Sequence, residues 1–232
     1  MNENLQGETD PILHHSVAVS IAGHYLLKRP TEGEGRALLV GFHGYAENAE
    51  TQLDRLSLIP GSENDWLCAI QALHPFYRRQ TGEVVASWMT RFHREGAIRE
   101  NMAFFERVLT QIRREVSADT PLVLLGFSQG SAMAYRSSVS ATHPPKALVI
   151  LGGDVPPDLT QRDPLILPPI LLGRGSGDRL YSEEQFRSDQ RLLESKGVTV
   201  SSFPFEGEHE WNEHFAAGVS SFLTDLLQSE GT

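Results

Sequence analysis

Six short, almost continuously apolar runs recur along this chain, and segments of helix-forming residues separate them. A β-strand covered on both faces has this pattern, because both sets of its alternating side chains point away from water. The apolar runs occupy residues 37–42, 66–73, 122–127, 147–151, 170–172 and 198–203. The helical segments occupy residues 52–58, 95–117, 129–141, 182–196 and 214–227. This alternation predicts an α/β fold in which a mostly parallel central sheet carries helices on both faces.

The amino-terminal region has a different pattern. Residues 16–21 alternate between polar and apolar side chains, residues 24–28 form a second strand-like segment, and residues 30–35 are polar and rich in glycine. Two such segments in succession predict an N-terminal antiparallel hairpin. We expect residues 1–232 to form a single domain, because this length suits one large α/β unit, with residues 1–12 as a poorly ordered tail.

Charge and hydropathy argue against two classes of partner. The chain has 30 acidic and 20 basic residues, and its formal charge of −10 repels a polyanion such as nucleic acid. No apolar run approaches the roughly 18 to 20 residues that a membrane span requires, and the first ten residues are polar and acidic, unlike a signal peptide. We therefore expect a cytoplasmic protein that binds no nucleic acid and has no membrane span. Its one cysteine, Cys68, cannot form an internal disulfide.

A G-x-S-x-G motif lies at residues 126–130, within the stretch LLGFSQG. The motif alone is weak, but here it directly follows an apolar strand and directly precedes a run of helix-forming residues. That strand, turn and helix context is the one required by a nucleophile elbow, in which a strained turn exposes a serine hydroxyl. Ser128 is therefore the candidate nucleophile.

A serine hydroxyl needs a base that takes its proton and a carboxylate that orients this base. In α/β-hydrolases the two partners follow the serine in the order acid, then histidine. Asp178 ends the loop GRGSGD after the run at 170–172, and Asp154 competes with it from the end of the preceding strand. His209 lies in a loop before the last helix, so we predict a triad of Ser128, Asp178 and His209.

The stretch HEWNEH also invites a metal-site interpretation, because zinc proteases use two histidines near a glutamate. Those histidines are four residues apart on one helical face, whereas His209 and His214 are five apart. We therefore predict no metal ligands and no cofactor.

An acyl-transfer site also needs N–H donors aimed at the oxyanion of the transition state. The backbone N–H of Gln129, directly after the serine, is one candidate. The second is the N–H of Tyr45 in the loop FHGYAEN, where Gly44 permits a sharp turn. For His43 we favour a structural role, as a buried histidine that holds this loop.

The stretches FHGYAEN, GFSQGSA, GGDVPP, GSGD and GEHE resemble the phospholipase/carboxylesterase family of the α/β-hydrolases, which includes acyl-protein thioesterases. The resemblance extends over residues 36–227. It implies a catalytic triad of Ser128, Asp178 and His209 and oxyanion donors at Tyr45 and Gln129. The family often has Leu-Gly after its His-Gly, where this chain has Tyr45-Ala46. The family often also has a second glycine after the elbow, where this chain has Ser131. Ahead of the acid it often has His-Gly, where this chain has Arg174-Gly175.

Only about 18 residues separate the runs at 147–151 and 170–172, where many lipases insert a lid or cap. We therefore predict no cap domain and an open site without interfacial activation. The substrate groove is predicted to be lined by Tyr45, Trp88, Met89, Phe92 and Trp211, although simple core packing explains the aromatic residues of SWMTRF equally well.

The predicted activity is hydrolysis of carboxylic esters or thioesters through an acyl-enzyme on Ser128. Because the base must be neutral, we expect kcat/KM to rise with pH through about 6 to 7, where histidines lose a proton. A lysophospholipase or a peptidase would use the same residues, and a catalytically silent binding module would share the fold. The partner is predicted to be a small-molecule or acylated substrate, and a homodimer is left open.

Overall fold

The computed structural model of the chain describes residues 12–13 and 15–228, and nine strands form within them. In chain order they are β1 (Tyr25–Lys28), β2 (Leu38–Phe42), β3 (Trp66–Ile70), β4 (His74–Tyr77), β5 (Val84–Ser87), β6 (Leu122–Phe127), β7 (Ala147–Leu151), β8 (Ile170–Gly175) and β9 (Val200–Phe205). The tail predicted for residues 1–12 lies outside the described residues, apart from Ile12.

Seven strands form the central sheet, in the order β1, β3, β2, β6, β7, β8, β9. All neighbours pair in parallel except β1, which is antiparallel to β3. The mostly parallel central sheet is therefore confirmed. Because parallel strands end at a common edge, the loops after β2, β6, β7 and β8 meet on one side of the molecule.

The N-terminal hairpin is wrong. Residues 15–24 contain no strand, and Val17, Val19 and Ile21 are exposed to solvent. β1 instead pairs with β3, where Leu26 lies opposite Ala69. An isolated two-stranded hairpin is marginal in water, so β1 is better stabilised as an edge strand of the large apolar sheet.

Six helices form in the described residues: α1 (Ala49–Ser57), α2 (Arg94–Ile112), α3 (Gln129–Ser140), α4 (Pro157–Thr160), α5 (Glu183–Ser195) and α6 (Glu213–Gln228). α1 begins three residues earlier than predicted, because the Asn48 side chain accepts a hydrogen bond from the N–H of Thr51 at 2.9 Å and caps its first turn. Ser182 and Gln185 form a capping box that starts α5.

Side chains of the sheet divide between two apolar cores, one on each face. Leu122 and Leu124 of β6 pack in the core that includes residues of α2, α3 and α5, whereas Val123 and Leu125 pack with residues of α6 and Leu56 of α1. Successive residues of a strand point to opposite faces, so a continuous apolar run supplies both cores at once. Helices on both faces of the sheet are therefore confirmed.

Two short features lie beside this framework. The sequence predicted one strand over residues 66–73, but β3 ends at Ile70, and β4 pairs with β5 in a separate antiparallel hairpin. Between β7 and β8 the structure has only the four-residue α4 and turns, so no cap domain covers the sheet edge there.

In the described part of the chain, no helix is long and apolar enough to cross a membrane.

Candidate active site

Ser128 occupies the turn between β6 and α3, with a φ of 53° and a ψ of −121°. Such a conformation is strained for a residue other than glycine. Its N–H donates to the carbonyl of Leu151 at 2.9 Å, which fixes the turn to the end of β7. A Cβ at Gly130 would lie 2.1 Å from the carbonyl oxygen of Phe42, so α3 begins directly against the end of β2. The turn therefore has the geometry of a nucleophile elbow.

Asp178 and His209 are brought together by the loops after β8 and β9. Nδ1 of His209 lies 2.7 Å from Oδ2 of Asp178. The other carboxylate oxygen, Oδ1, accepts from the N–H groups of Leu180 at 2.8 Å and Tyr181 at 2.9 Å. A carboxylate accepts hydrogen bonds, so His209 carries its proton on Nδ1 and leaves Nε2 as the basic nitrogen.

Nε2 of His209 is buried and has no hydrogen-bond partner among the described residues. The paired glycines after β7 connect this ring with the elbow. A Cβ at Gly152 would lie 2.9 Å from Cε1 of His209, and one at Gly153 would lie 2.6 Å from the carbonyl oxygen of Ser128. The imidazole and the serine turn thus flank the same dipeptide. In unliganded sites, hydrogen bonds between nucleophile and base often form only when substrate binds.

Near the serine, the backbone N–H groups of Tyr45 and Gln129 are among those without a partner in the described hydrogen bonds. On both sides of Tyr45 the N–H groups are occupied: that of Gly44 donates to Oε2 of Glu47 at 2.7 Å, and that of Ala46 donates to the carbonyl of Ala86 at 3.0 Å. Gln129 is the first residue of α3, where backbone N–H groups lack helical acceptors. Both free donors are the ones that the sequence nominated.

The side chain of Gln129 has a second role that the sequence did not indicate. Its Oε1 accepts from the N–H of Trp88 at 2.9 Å, and its Nε2 donates to the carbonyl of Met89 at 2.9 Å. The indole N–H of Trp88 in turn donates to the carbonyl of His43 at 2.7 Å. The segment after β5 therefore ties the elbow to the loop that carries Tyr45.

His43 is buried and bonded through both ring nitrogens. Nδ1 lies 2.7 Å from the carbonyl oxygen of Gly44, and Nε2 accepts from the N–H of Ala72 at 3.1 Å. Burial lowers the pKa of His43, so the ring is neutral with its proton on Nδ1. This arrangement suits the loop-holding role expected for His43.

The predicted substrate groove is not one surface in the structure. Trp88 and Met89 are buried in the core on one face of the sheet, and Trp211 is buried in the core on the other. Only Tyr45 and Phe92 are exposed. The prediction of a groove lined by all five residues is therefore wrong. The side chains of Trp88 and Met89 pack into the core, and the side chain of Asn101 donates a hydrogen bond to the carbonyl of Trp88 at 2.7 Å. Tyr45 instead contacts Phe76 of β4, with 5.6 Å between ring centroids.

The two alternative site residues are placed differently. Asp154 is exposed and makes no described contact with His209. His214 is an exposed residue of α6 whose ring contacts Phe203 and Phe205. Among the described residues, no three His, Cys, Asp or Glu side chains are grouped so that they could hold a metal ion.

Three charged side chains beside the site were also missed by the sequence analysis. Glu47 and Arg55 form an ion pair under the Tyr45 loop, and Arg174 is buried beneath the Asp178 loop. Arg174 donates to the carbonyls of Tyr181 at 2.8 Å and Asp178 at 3.1 Å, so it braces the turn that presents the carboxylate. No spacing rule in the sequence identifies an ion pair such as that of Glu47 and Arg55. A single arginine inside an apolar strand, as at Arg174, does indicate that its side chain has a buried hydrogen-bond partner.

A mostly parallel sheet of this order, with a strained serine turn at its carboxyl edge, defines the α/β-hydrolase fold class. The family described as phospholipase/carboxylesterase matches residues 30–227, and the chain belongs to that family. The resemblance seen in the sequence is therefore confirmed. No curated protein matches the chain significantly in sequence.

Several solved structures share the fold, among them a carboxylesterase and an acyl-protein thioesterase. A carboxylesterase from Bacillus cereus superposes with a TM-score of 0.69 at 14% identity, covering 88% of this chain and 94% of its own. An acyl-protein thioesterase 2 from Zea mays superposes with a TM-score of 0.67 at 20% identity, covering 89% of this chain and 100% of its own. SOBER1 from Arabidopsis thaliana superposes with a TM-score of 0.66 at 19% identity, covering 83% of this chain and 100% of its own. At these identities the similarity supports the fold alone.

Proposed function

We propose that this chain is a serine hydrolase that cleaves carboxylic esters or thioesters through an acyl-enzyme on Ser128. The observation that carries the proposal is the 2.7 Å contact between Asp178 and His209, which leaves a buried, unpartnered Nε2 beside a strained serine elbow. A base held in one tautomer next to an exposed hydroxyl is the arrangement that activates a serine. Membership of an esterase family agrees with this chemistry.

In the first half-reaction, Oγ of Ser128 attacks the carbonyl carbon while Nε2 of His209 takes the hydroxyl proton. The oxyanion that forms is stabilised by the free N–H groups of Tyr45 and Gln129, and Asp178 stabilises the imidazolium. The bond to the leaving group then breaks, and His209 gives its proton to the departing alcohol or thiol.

In the second half-reaction, His209 removes a proton from water, and the resulting hydroxide attacks the acyl-enzyme. The carboxylic acid leaves, and Ser128 recovers its proton from His209. These steps use only residues of this chain and water. We propose an open site, since α4 and turns are the only elements between β7 and β8. The cytoplasmic location, the single domain and the possible homodimer stay predictions.

The test is turnover of a matched substrate set: p-nitrophenyl butanoate, its thioester and anilide analogues, and a lysophospholipid. We expect wild type to hydrolyse the ester and thioester at least about 10³ times faster than Ser128→Ala. Preference for the anilide or the lysophospholipid would favour a peptidase or lysophospholipase. A folded wild type that cleaves none of them would favour the silent binding module and contradict the proposal.

A further inference from the structure

The loop that carries Tyr45 is held by bonds on both sides of that residue. The N–H of Gly44 donates to Oε2 of Glu47 at 2.7 Å, and the N–H of Ala46 donates to the carbonyl of Ala86 at 3.0 Å. Ala46 has a φ of 57°, in the left-handed region that alanine rarely adopts. The loop therefore keeps a strained shape in which the N–H between the two bonded ones stays unpartnered.

Glu47 is itself fixed by a second charged side chain. Nη1 of Arg55 lies 2.6 Å from Oε2 of Glu47, and Nη2 lies 2.6 Å from Oε1, so the pair is bidentate. The two side chains are only 13% and 18% exposed. Burial by itself raises the pKa of Glu47, but the hydrogen bonds and charge of Arg55 outweigh it and the pKa is lowered. Glu47 is therefore a carboxylate at neutral pH.

Arg55 also contacts Phe127, the residue directly before Ser128. Its guanidinium lies over the ring of Phe127, with 4.2 Å between Cζ and the ring centroid. The same ring lies 5.0 Å from the imidazole of His209, centroid to centroid. One arginine on α1 thus joins the Tyr45 loop to the residue that precedes the serine and to the surroundings of the base.

We propose that Glu47 and Arg55 are positioning residues for the oxyanion hole; this rests on the proposed function. Glu47 acts through Gly44, whose bonded N–H turns the loop so that the N–H of Tyr45 faces the reacting carbonyl. Arg55 orients Glu47 and neutralises a carboxylate that would otherwise oppose the oxyanion. The pair touches no substrate. Its effect is on the transition state, so its loss lowers kcat and leaves KM nearly unchanged.

The experiment compares Glu47→Ala, Glu47→Gln and Arg55→Lys with wild type, and counts active sites with a fluorophosphonate so that rates refer to reactive protein. Each variant is assayed for kcat, KM and the inhibition constant of a trifluoromethyl ketone. This ketone adds Ser128 and places a hemiketal oxyanion in the hole. The control is Asp65→Asn, which breaks a similar arginine pair (Arg36 Nη2 to Oδ2, 2.9 Å) just before β3, at the opposite edge of the sheet.

For Glu47→Ala we expect kcat per active site to fall about 10²-fold, the cost of one oxyanion donor. The affinity of the ketone should fall by a similar factor while KM changes less than about threefold. Glu47→Gln retains an acceptor for Gly44 and should lose about tenfold or less. Arg55→Lys should lie between these two, and the control within about twofold of wild type. If Glu47→Ala does not fold, the Gln and Lys variants carry the test, because both should weaken kcat and ketone affinity together.

Two results overturn the inference while the hydrolase survives. One is a set of Glu47 and Arg55 variants that keep wild-type kcat and ketone affinity. The other is a loss of kcat per active site with unchanged ketone affinity, which would place the effect on a step other than stabilisation of the oxyanion. A wild type that neither hydrolyses esters nor reacts with the fluorophosphonate removes the proposed function, and this inference falls with it.

Discussion

At the scale of single residues, the surroundings of the two nitrogens of His209 decide what the ring can do. Nδ1 faces the Asp178 carboxylate at 2.7 Å, whereas Nε2 is buried without a described partner. Asp178 is held by the N–H groups of Leu180 and Tyr181 and by Arg174 beneath its loop. The carboxylate therefore selects the tautomer in which Nε2 accepts a proton.

Asp178→Asn should lower kcat/KM by about 10³ to 10⁴, because an amide N–H facing Nδ1 favours the tautomer with the proton on Nε2. Asp154→Asn is the matched control, since this aspartate also lies in a loop directly after a strand but is exposed, and we expect it to stay within about threefold of wild type. Ester hydrolysis measured under kcat/KM conditions separates the two. Equal losses, or a larger loss for Asp154→Asn, would show that the wrong acid has been assigned.

At the scale of elements, the site depends on how closely α3 approaches the end of β2. The start of α3 leaves no room for a side chain at residue 130, since a Cβ there would lie 2.1 Å from the backbone oxygen of Phe42. That contact brings the first N–H of α3 next to the loop after β2. The two N–H groups that we propose as oxyanion donors therefore lie on elements that pack together without an intervening side chain.

Gly130→Ala should consequently cost at least about 3 kcal/mol of unfolding free energy, because backbone and not a flexible side chain must move. Ser140→Ala, an exposed substitution at the other end of α3, should change stability by less than about 0.5 kcal/mol. Urea unfolding of both variants provides the measurement. A Gly130→Ala protein as stable as wild type would mean that α3 is not seated against β2 in this way.

The elements that sequence predicts well are those whose signal is local. The apolar runs identify the strands of the main sheet, and glycines 126 and 130 around Ser128 indicate the elbow, because each depends on neighbours in the chain. The strand β1 is different. Residues 24–28 were predicted to form a strand, but the strand pairs with β3, which lies far along the chain, and not with the neighbouring segment. β4 gave no apolar signal, since His74–Tyr77 is exposed and contains a proline.

The same distinction applies to the site. Motifs in the sequence indicated the types and order of Ser128, Asp178 and His209, but they left Asp154 as a competing candidate for the acid. Only the structure shows that the loop after β8 brings Asp178, and not Asp154, into contact with His209. Trp88 was assigned to a groove because an aromatic side chain gives the same sequence signal in a core and in a binding surface. Its hydrogen bonds with Gln129, His43 and Asn101 are long-range contacts that no periodicity encodes.

At the scale of the whole molecule, the pH dependence of stability is set by carboxyl groups whose pKa values change on folding, and partly buried Asp189 is one of them. Burial raises the pKa of Asp189 to about 6, and the nearby charge of Asp154 adds to the increase. Hydrogen bonds from Tyr181 at 2.8 Å and the N–H of Val155 at 3.2 Å oppose it. Folding therefore favours the protonated form of Asp189 relative to the unfolded chain.

This sign predicts how stability changes with pH. The contribution of Asp189 is fully present below pH about 4 and is lost as pH rises through about 6. The full difference corresponds to at most about 3 kcal/mol, and screening of this partly exposed group reduces it to about 1 kcal/mol. Asp189→Asn should thus gain about 1 kcal/mol relative to wild type between pH 4 and pH 7, measured by urea unfolding at each pH.

Asp158→Asn is the control of opposite sign. The hydrogen bond from Arg136 lowers the pKa of Asp158, so its stabilisation is present above the ordinary pKa and is lost as pH falls. This variant should be less stable than wild type at pH 7, by an amount that does not grow toward pH 4. A pH-independent difference between wild type and Asp189→Asn would contradict the assignment of a raised pKa.

The central claim is that the fold holds Ser128 as an activated nucleophile. Its most direct measurement is intact mass after treatment with a fluorophosphonate, applied to wild type, Ser128→Ala and His209→Ala. We expect one adduct on wild type and none on either variant, since the reagent needs both the hydroxyl and its base. A folded wild type that stays unlabelled, or a Ser128→Ala protein that still gains an adduct, would contradict the claim.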